Sequence, residues 1–316
     1  MRTLGGRYEL EQRVGVGGMS EVWRAHDLVL DRTVAVKLIS PGLDGEATSV
    51  ERIRGEARSA ARLVHPNVAS VHDFGTATAT ALDGRELPYI VMELAEGETL
   101  AAHLRGGPLD WRIGVRVCAE VSAALAAAHA QGIVHRDVKP ANVILTPAGV
   151  KVLDFGIATP AGTPDQTPDG VVIGTPAYLA PEQLDRQPAT PAADMYALGV
   201  LLYYCLTGRL PYTADSTAQY LGCRRRQAPE PLPEIDGLPP EVADLCHRCL
   251  SEDPARRPTS LMAALLLAEA VDARVYVPMM PPAARRQRPA PLSPWTEQAA
   301  AASTEAMGLD EPTWTR

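Results

Sequence analysis

Lysine is nearly missing from this chain: three occur, at positions 37, 139 and 151, against 27 arginines. The net charge is −8 and the pI near 5.4, so the surface is not built to neutralise nucleic-acid phosphates. Arg224-Arg225-Arg226 and Arg285, Arg286 and Arg288 are local basic runs and read as solvated faces. Long apolar runs are missing too. The longest uncharged ones, 197–206 and 261–268, fall far short of the roughly 18 residues that cross a bilayer, so no membrane span is expected. The opening residues Met1 to Glu9 contain no apolar h-region, which argues against a cleaved signal and makes the cytoplasm the expected location. Five cysteines, odd in number and irregularly spaced, exclude a disulfide framework. Cys246-His247-Arg248-Cys249 reads as a helix with buried thiols, because no second pair accompanies it and Val242, Leu245, Cys249 and Leu250 fall at helical spacing.

Periodicity divides what remains. From Tyr8 to about Glu93 the pattern is strand-like and punctuated by glycine, with strands expected near 8–14, 21–26, 33–39, 68–75 and 89–93. One helix interrupts them. Its apolar positions Ile53, Ala57, Ala60, Ala61 and Val64 recur at three and four residues, and His65-Pro66 ends it, since the residue before proline is pushed out of the α region. From Leu94 on, helices dominate: one over about 111–131, with Asp110 as N-cap and Gly132 just past its end, then others near 190–207, 240–250 and 259–272. Beyond 275 the chain turns rich in proline, arginine and alanine, a linker composition. The expectation is an α+β fold of two lobes: a small β-rich lobe over about 8–93 with one main helix, and a larger helical lobe over about 94–272. A flexible tail over 275–316 follows.

The scarce residues are not scattered. Lys37 closes Val34-Ala35-Val36-Lys37, and Lys139 lies inside His135-Arg136-Asp137-Val138-Lys139-Pro140-Ala141-Asn142. A compact ammonium meets a single phosphate oxygen as a point charge, where a planar guanidinium would not fit. Lys151, in an expected strand, reads as a lysine without such a role. Gly15-Val16-Gly17-Gly18 sits between two expected strands, where backbone lacking Cβ atoms can close over phosphates. Glu56 is the preferred ion-pair partner of Lys37, ahead of Glu51, because it lies deeper in the helix. Of two phenylalanines, Phe155 stands in Asp154-Phe155-Gly156, twelve residues after Asn142 and across an expected hairpin of 143–145 and 150–153. Asp154 and Asn142 supply oxygens suited to Mg2+. Asp137 can orient an attacking hydroxyl, and Lys139 can offset charge on a transferring phosphoryl group.

In this order the motifs resemble those of the eukaryotic-like (Hanks-type) Ser/Thr protein kinases of bacteria, over about Tyr8 to Asp272. The resemblance implies that Val14, Gly15, Gly17, Gly18, Val22, Ala35, Ile144 and Leu153 surround ATP. It makes Met92 the gatekeeper, with the backbone of Glu93 and Ala95 against the adenine edge. Lys37, paired to Glu56, would hold the α and β phosphates; Asp137 and Lys139 would act on the transferred group; Asn142 and Asp154 would hold Mg2+. Ser20 replaces the third glycine of the general motif. Glu182, in Ala180-Pro181-Glu182, is expected to pair with Arg257, and Asp194 to brace the loop carrying Asp137. Three Thr-Pro tetrads, starting at Thr159, Thr163 and Thr167, suggest autophosphorylation of Thr163 or Thr167, with the phosphate taken by Arg136. Thr175 fits the Ser/Thr pattern. The expected partners are Ser/Thr protein substrates and, by family analogy, a second copy for phosphorylation in trans. A nucleotide-binding pseudokinase scaffold is the alternative, opposed by the intact Lys37, Asp137, Asn142 and Asp154. A small-molecule kinase is opposed by the peptide platform that Thr175 and Ala180-Pro181-Glu182 suggest.

Overall fold

The computed structural model describes residues 2–17, 20–39, 47–78, 86–155, 176–185, 187–212, 219, 222 and 227–278. Gly18, Gly156, Thr163, Thr167, Thr175 and the tail past Pro278 lie outside the described residues. So do the three Thr-Pro tetrads.

Six strands build the first sheet: β1 (Arg2–Leu4), β2 (Tyr8–Val16), β3 (Ser20–Asp27), β4 (Arg32–Ile39), β5 (Val71–Thr78) and β6 (Glu86–Met92), in the order β1-β2-β3-β4-β6-β5 with antiparallel neighbours. Strand alternation sorts β4 into two faces. Val34 and Val36 pack with Tyr8, Ala25, Tyr89 and Val91 on one side, whereas Ala35 packs with Ile90 and Met92 against Ile53 and Ala57 on the other. Those last two residues belong to α1 (Ala47–Ala60), so Lys37, two residues beyond Ala35, emerges on the helix side of the sheet. The outer face is pinned by charge: Arg7 grips the fully buried Asp27 at 2.7 and 2.8 Å, and Tyr8 donates to Asp73 at 2.6 Å.

The expected helix differs at its end. It stops at Ala60 rather than running to His65, and Val64, placed on its apolar stripe by the periodicity, is 83 % exposed. The chain turns through 61–63, where Ala61 N–H still reaches Ala57 O but Arg62 and Leu63 make only the tighter bonds three residues back. This shift buries Leu63 in place of Val64. The strand expected from Val68 begins instead at Val71, because Val68 is taken by a parallel bridge to Val152 in the other half of the molecule.

That half opens with three short strands forming a second sheet, β7 (Glu98–Thr99), β8 (Val143–Thr146) and β9 (Gly149–Val152). Helices α2 (Leu100–His103) and α3 (Trp111–His129) stand between β7 and β8. After β9 come α4 (Pro181–Leu184), α5 (Pro191–Thr207), α6 (Pro240–Cys249) and α7 (Ser260–Ala270). The Asp110 carboxylate accepts from Arg112 N–H to start α3, and Gly132, at φ 73°, lets the chain leave it. Helix α3 is buried on every side from Val117 to Ala128, packed between α7 and α5, which accounts for its run of small and apolar residues, broken only by the buried Glu120. Gly199 permits α5 to press on α6, since a Cβ there would lie 2.7 Å from that of Cys249. Cys246 and Cys249 are buried in this contact, and burial holds the Cys249 thiol up at about 12, as expected of structural thiols. Among the described residues no helix is long and apolar enough to cross a membrane.

Candidate functional site

The loop before β8 is built around one buried carboxylate. Asp194, on the first turn of α5 and 1 % exposed, accepts the N–H groups of His135 at 2.8 Å and Arg136 at 2.7 Å, and His129 Nε2 stands 2.8 Å from the same side chain. Held this way, Arg136 adopts φ 71°, a left-handed conformation that costs on the order of 1 kcal/mol in a non-glycine residue. His135 is fixed next. Its Nδ1 accepts from Asp137 N–H at 3.2 Å, which leaves Nε2–H to donate to Leu153 O at 2.8 Å, while the ring meets Phe155 edge-on at 4.5 Å. Phe155, conspicuous in the sequence because only two phenylalanines exist, therefore spaces Asp154 against the His135 loop.

Asp137, Lys139 and Asn142 come together in one cluster. Lys139 Nζ lies 2.6 Å from Asp137 Oδ2, and Asn142 donates its amide to the same oxygen at 2.9 Å and to Asp137 O at 2.8 Å. With its nitrogen so employed, Asn142 keeps its side-chain carbonyl oxygen as a free acceptor. Leu153 N–H bonds Asn142 O at 2.9 Å, tying the segment that leads to Asp154 to this loop. Asp154 itself sits at φ 61°.

Lys37 reaches across to the segment after β9. Its ammonium is 2.9 Å from Asp154 Oδ2. Glu56 is buried on α1 beside Ala57.

The remaining expected nucleotide contacts fall into two groups. Ala35 pairs with Met92 across β4 and β6, both 5 % exposed, with Val22 packed against them. Ile144 lies on β8 and Leu153 follows β9, both partly buried. Val14 and Val16 at the end of β2 are exposed at 52 and 69 %, and Gly17 N–H closes the turn onto Ser20 O at 2.7 Å. Gly15 and Gly17 have no left-handed φ; what glycine provides here is a turn without side chains. Glu93 N–H is taken by Ser70 O at 2.8 Å, so the carbonyl is the backbone group left for a ligand.

Further along, Arg257, whose side chain is fully buried, grips Glu182 with two bonds of 2.6 and 2.8 Å and also donates to Ala192 O and Ser251 O. Sequence reasoning missed Lys151, whose ammonium is 2.7 Å from Glu93. The signal was available in the rarity of lysine. Among the described residues no group of three or more His, Cys, Asp or Glu is arranged to hold a metal. A donor set of Asp154 and Asn142 oxygens suits Mg2+, which takes one or two protein ligands together with water and phosphate.

Comparison with known proteins agrees with this geometry. The protein kinase domain family model matches residues 8–270. The serine/threonine-protein kinase PknA of Mycobacterium tuberculosis (strain ATCC 25177 / H37Ra) is 42 % identical over 257 residues, covering 81 % of this chain and 59 % of that protein. PksC of Streptomyces coelicolor is 41 % identical over 262 residues, 80 % of this chain and 47 % of its own length. The kinase pkn3 of Myxococcus xanthus is 38 % identical over 286 residues, 86 % and 51 % respectively. The chain thus spans about half of the length of these relatives. With both lobes covered by the family model and these bacterial relatives alongside, the chain belongs to the protein kinase domain family, on its bacterial serine/threonine branch.

Proposed function

We propose that this chain transfers the γ-phosphoryl group of ATP, with Mg2+, to Ser or Thr hydroxyls of proteins. The observation that carries the reading is two contact groups tied together by the backbone: Lys37 with Asp154 at 2.9 Å, Asp137 with Lys139 and Asn142 at 2.6 and 2.9 Å, and Leu153 N–H, next to Asp154, on Asn142 O at 2.9 Å. Lys37 binds the α and β phosphates after exchanging its Asp154 contact for them. Asn142 through its carbonyl oxygen and Asp154 through its carboxylate hold the metal, which supplies charge neutralisation on the phosphates when bound. Asp137 accepts and orients the hydroxyl proton of the incoming Ser or Thr. Lys139, already against Asp137, offsets charge on the transferring group. Met92, Ala35, Val22, Ile144 and Leu153 enclose the base, with Val14, Gly15, Gly17 and Gly18 over the phosphates. Regulation by phosphorylation of Thr163 or Thr167, with Arg136 donating hydrogen bonds to the phosphate and Thr175 nearer the substrate, belongs to the same proposal. So do pairing of two copies and a catalytic unit over 8–272 followed by a tail rich in proline, arginine and alanine.

Labelled ATP with Mg2+ and a cell lysate tests the reading. Asp137→Asn should lower turnover by about two to four orders of magnitude and leave nucleotide affinity close to that of the parent. Nucleotide binding without phosphate transfer by the parent protein would favour a scaffold instead.

A further inference from the structure

Lys151 is the one lysine that the motifs leave without a task. It lies on β9 opposite Ile144, and its ammonium is 2.7 Å from Glu93 Oε1 and 2.9 Å from Oε2, with the two side chains only 19 and 31 % exposed. Glu93 is the first residue past β6, where the chain passes from the small lobe to the large. It is also held from behind, since its N–H donates to Ser70 O at 2.8 Å and its Oε2 accepts Ser70 N–H at 3.2 Å. Ser70 in turn ends a segment that runs beside β9: Val152 N–H donates to Asn67 O at 2.8 Å and Ala69 N–H to Val152 O at 3.0 Å. Buried Glu120 of α3 anchors the same segment by accepting from Asn67 at 3.2 Å and from Val150 N–H at 2.6 Å.

We infer that Lys151 is a positioning residue for the nucleotide site, latching the lobe-connecting residue Glu93 to β9. The contacts form a ring. Glu93 joins Lys151; β9 leads from Lys151 to Asp154; Asp154 joins Lys37; and β4, paired to β6 through Lys37 and Ile90, leads back to Glu93. Two lysine–carboxylate pairs therefore close the ring at its two crossings between lobes. A nucleotide with its metal claims Lys37 and Asp154 and opens one crossing. Lys151–Glu93 is the crossing that stays, setting the Glu93 carbonyl and the neighbouring Ala95 relative to the strand that delivers Asp154. The effect on nucleotide binding rests on the function proposed above, but the latch itself does not.

Three variants of the full chain, Lys151→Met, Lys151→Arg and Glu93→Gln, test this by two independent readouts. Without nucleotide, amide exchange at Ser70 and Glu93 should quicken by about fivefold in Lys151→Met and in Glu93→Gln, the scale of a half-buried ion pair. Lys151→Arg should stay near the parent. With ATP, Lys151→Met should raise the KM for ATP by roughly fivefold and leave kcat within about twofold, because the latch touches no reacting atom. Lys151→Met and Glu93→Gln combined in one chain should be no worse than either alone. Unchanged exchange at both amides in a folded Lys151→Met, or a fall in kcat at constant KM, overturns the inference. If the parent binds no nucleotide, the function proposed above falls and the exchange data alone decide the latch.

Discussion

Replacing Asp194 by asparagine changes one atom yet should disable the loop that carries Asp137. The carboxylate accepts from two backbone N–H groups, on different oxygens, and from His129. A carboxamide accepts on one oxygen only, so its NH2 must face either the Arg136 N–H or the His135 N–H and His129 pair. A lost charge-assisted bond, together with a buried N–H left against another donor, amounts to about 2–4 kcal/mol. For a domain of this size that lowers Tm by about 2 °C for each kcal/mol, or roughly 4–8 °C. Part of the strain in Arg136 is released when its anchor goes, and the loop drifts. A displacement of about 1 Å at Asp137 should cost on the order of 100-fold in kcat. Nucleotide affinity should be nearly unchanged, since Lys37, Met92 and Glu93 are held by other elements. The assays are urea unfolding, ATP binding and steady-state phosphorylation on one preparation. A variant with kcat within threefold of the parent and stability within about 0.5 kcal/mol would refute the reasoning, because surface-like behaviour of that size is incompatible with a buried triple acceptor.

Two further outcomes follow from other contacts. Glu182→Gln leaves the buried Arg257 guanidinium without its counter-charge and should destabilise by about 3 kcal/mol, with Glu182→Leu/Arg257→Met costing less than the sum of the two single variants in denaturant titrations. His65 tests pH dependence. Burial depresses its proton affinity, and its Nδ1 already accepts from Asn67 N–H at 3.1 Å while Nε2 meets Tyr276 O at 3.0 Å. Below the ordinary histidine value of about 6.5 the unfolded chain takes up a proton that the folded chain resists, so stability should fall as pH drops from about 7 towards 5 and hold steady above. His65→Gln should flatten that slope in urea midpoints taken at both pH values.

How much was legible in advance depended on whether a feature was local. The strand–turn–strand pattern about Gly15 and Gly17, the capped helix after Asp110, and the spacing from Asp137 to Asn142 to Asp154 are written in consecutive residues, and the described chain brings Asp137, Asn142 and Asp154 to one place. What stayed hidden required knowledge of the other half of the molecule. Val68 has the makings of a strand residue, yet its partner is Val152, eighty-four positions on. The contact of Lys37 with Asp154 joins β4 to the segment after β9 and comes with a left-handed φ at Asp154 that no periodicity reveals. Val64 was misplaced because a tighter turn at 61–63 moves Leu63 inward, a matter of one residue that hydrophobic spacing does not resolve. Lys151 looked incidental only because its partner, Glu93, lies in a different lobe.

Each of the three lysine ammonium groups sits against a carboxylate, and none of the three side chains is more than 21 % exposed. Chemistry aimed at side-chain amines consequently has no outer surface to decorate on this molecule. An acylating or reductively alkylating reagent would find its side-chain targets only along the lobe junction, so slower uptake of label in the presence of a ligand would read out occupancy of that junction directly, without any engineered tag.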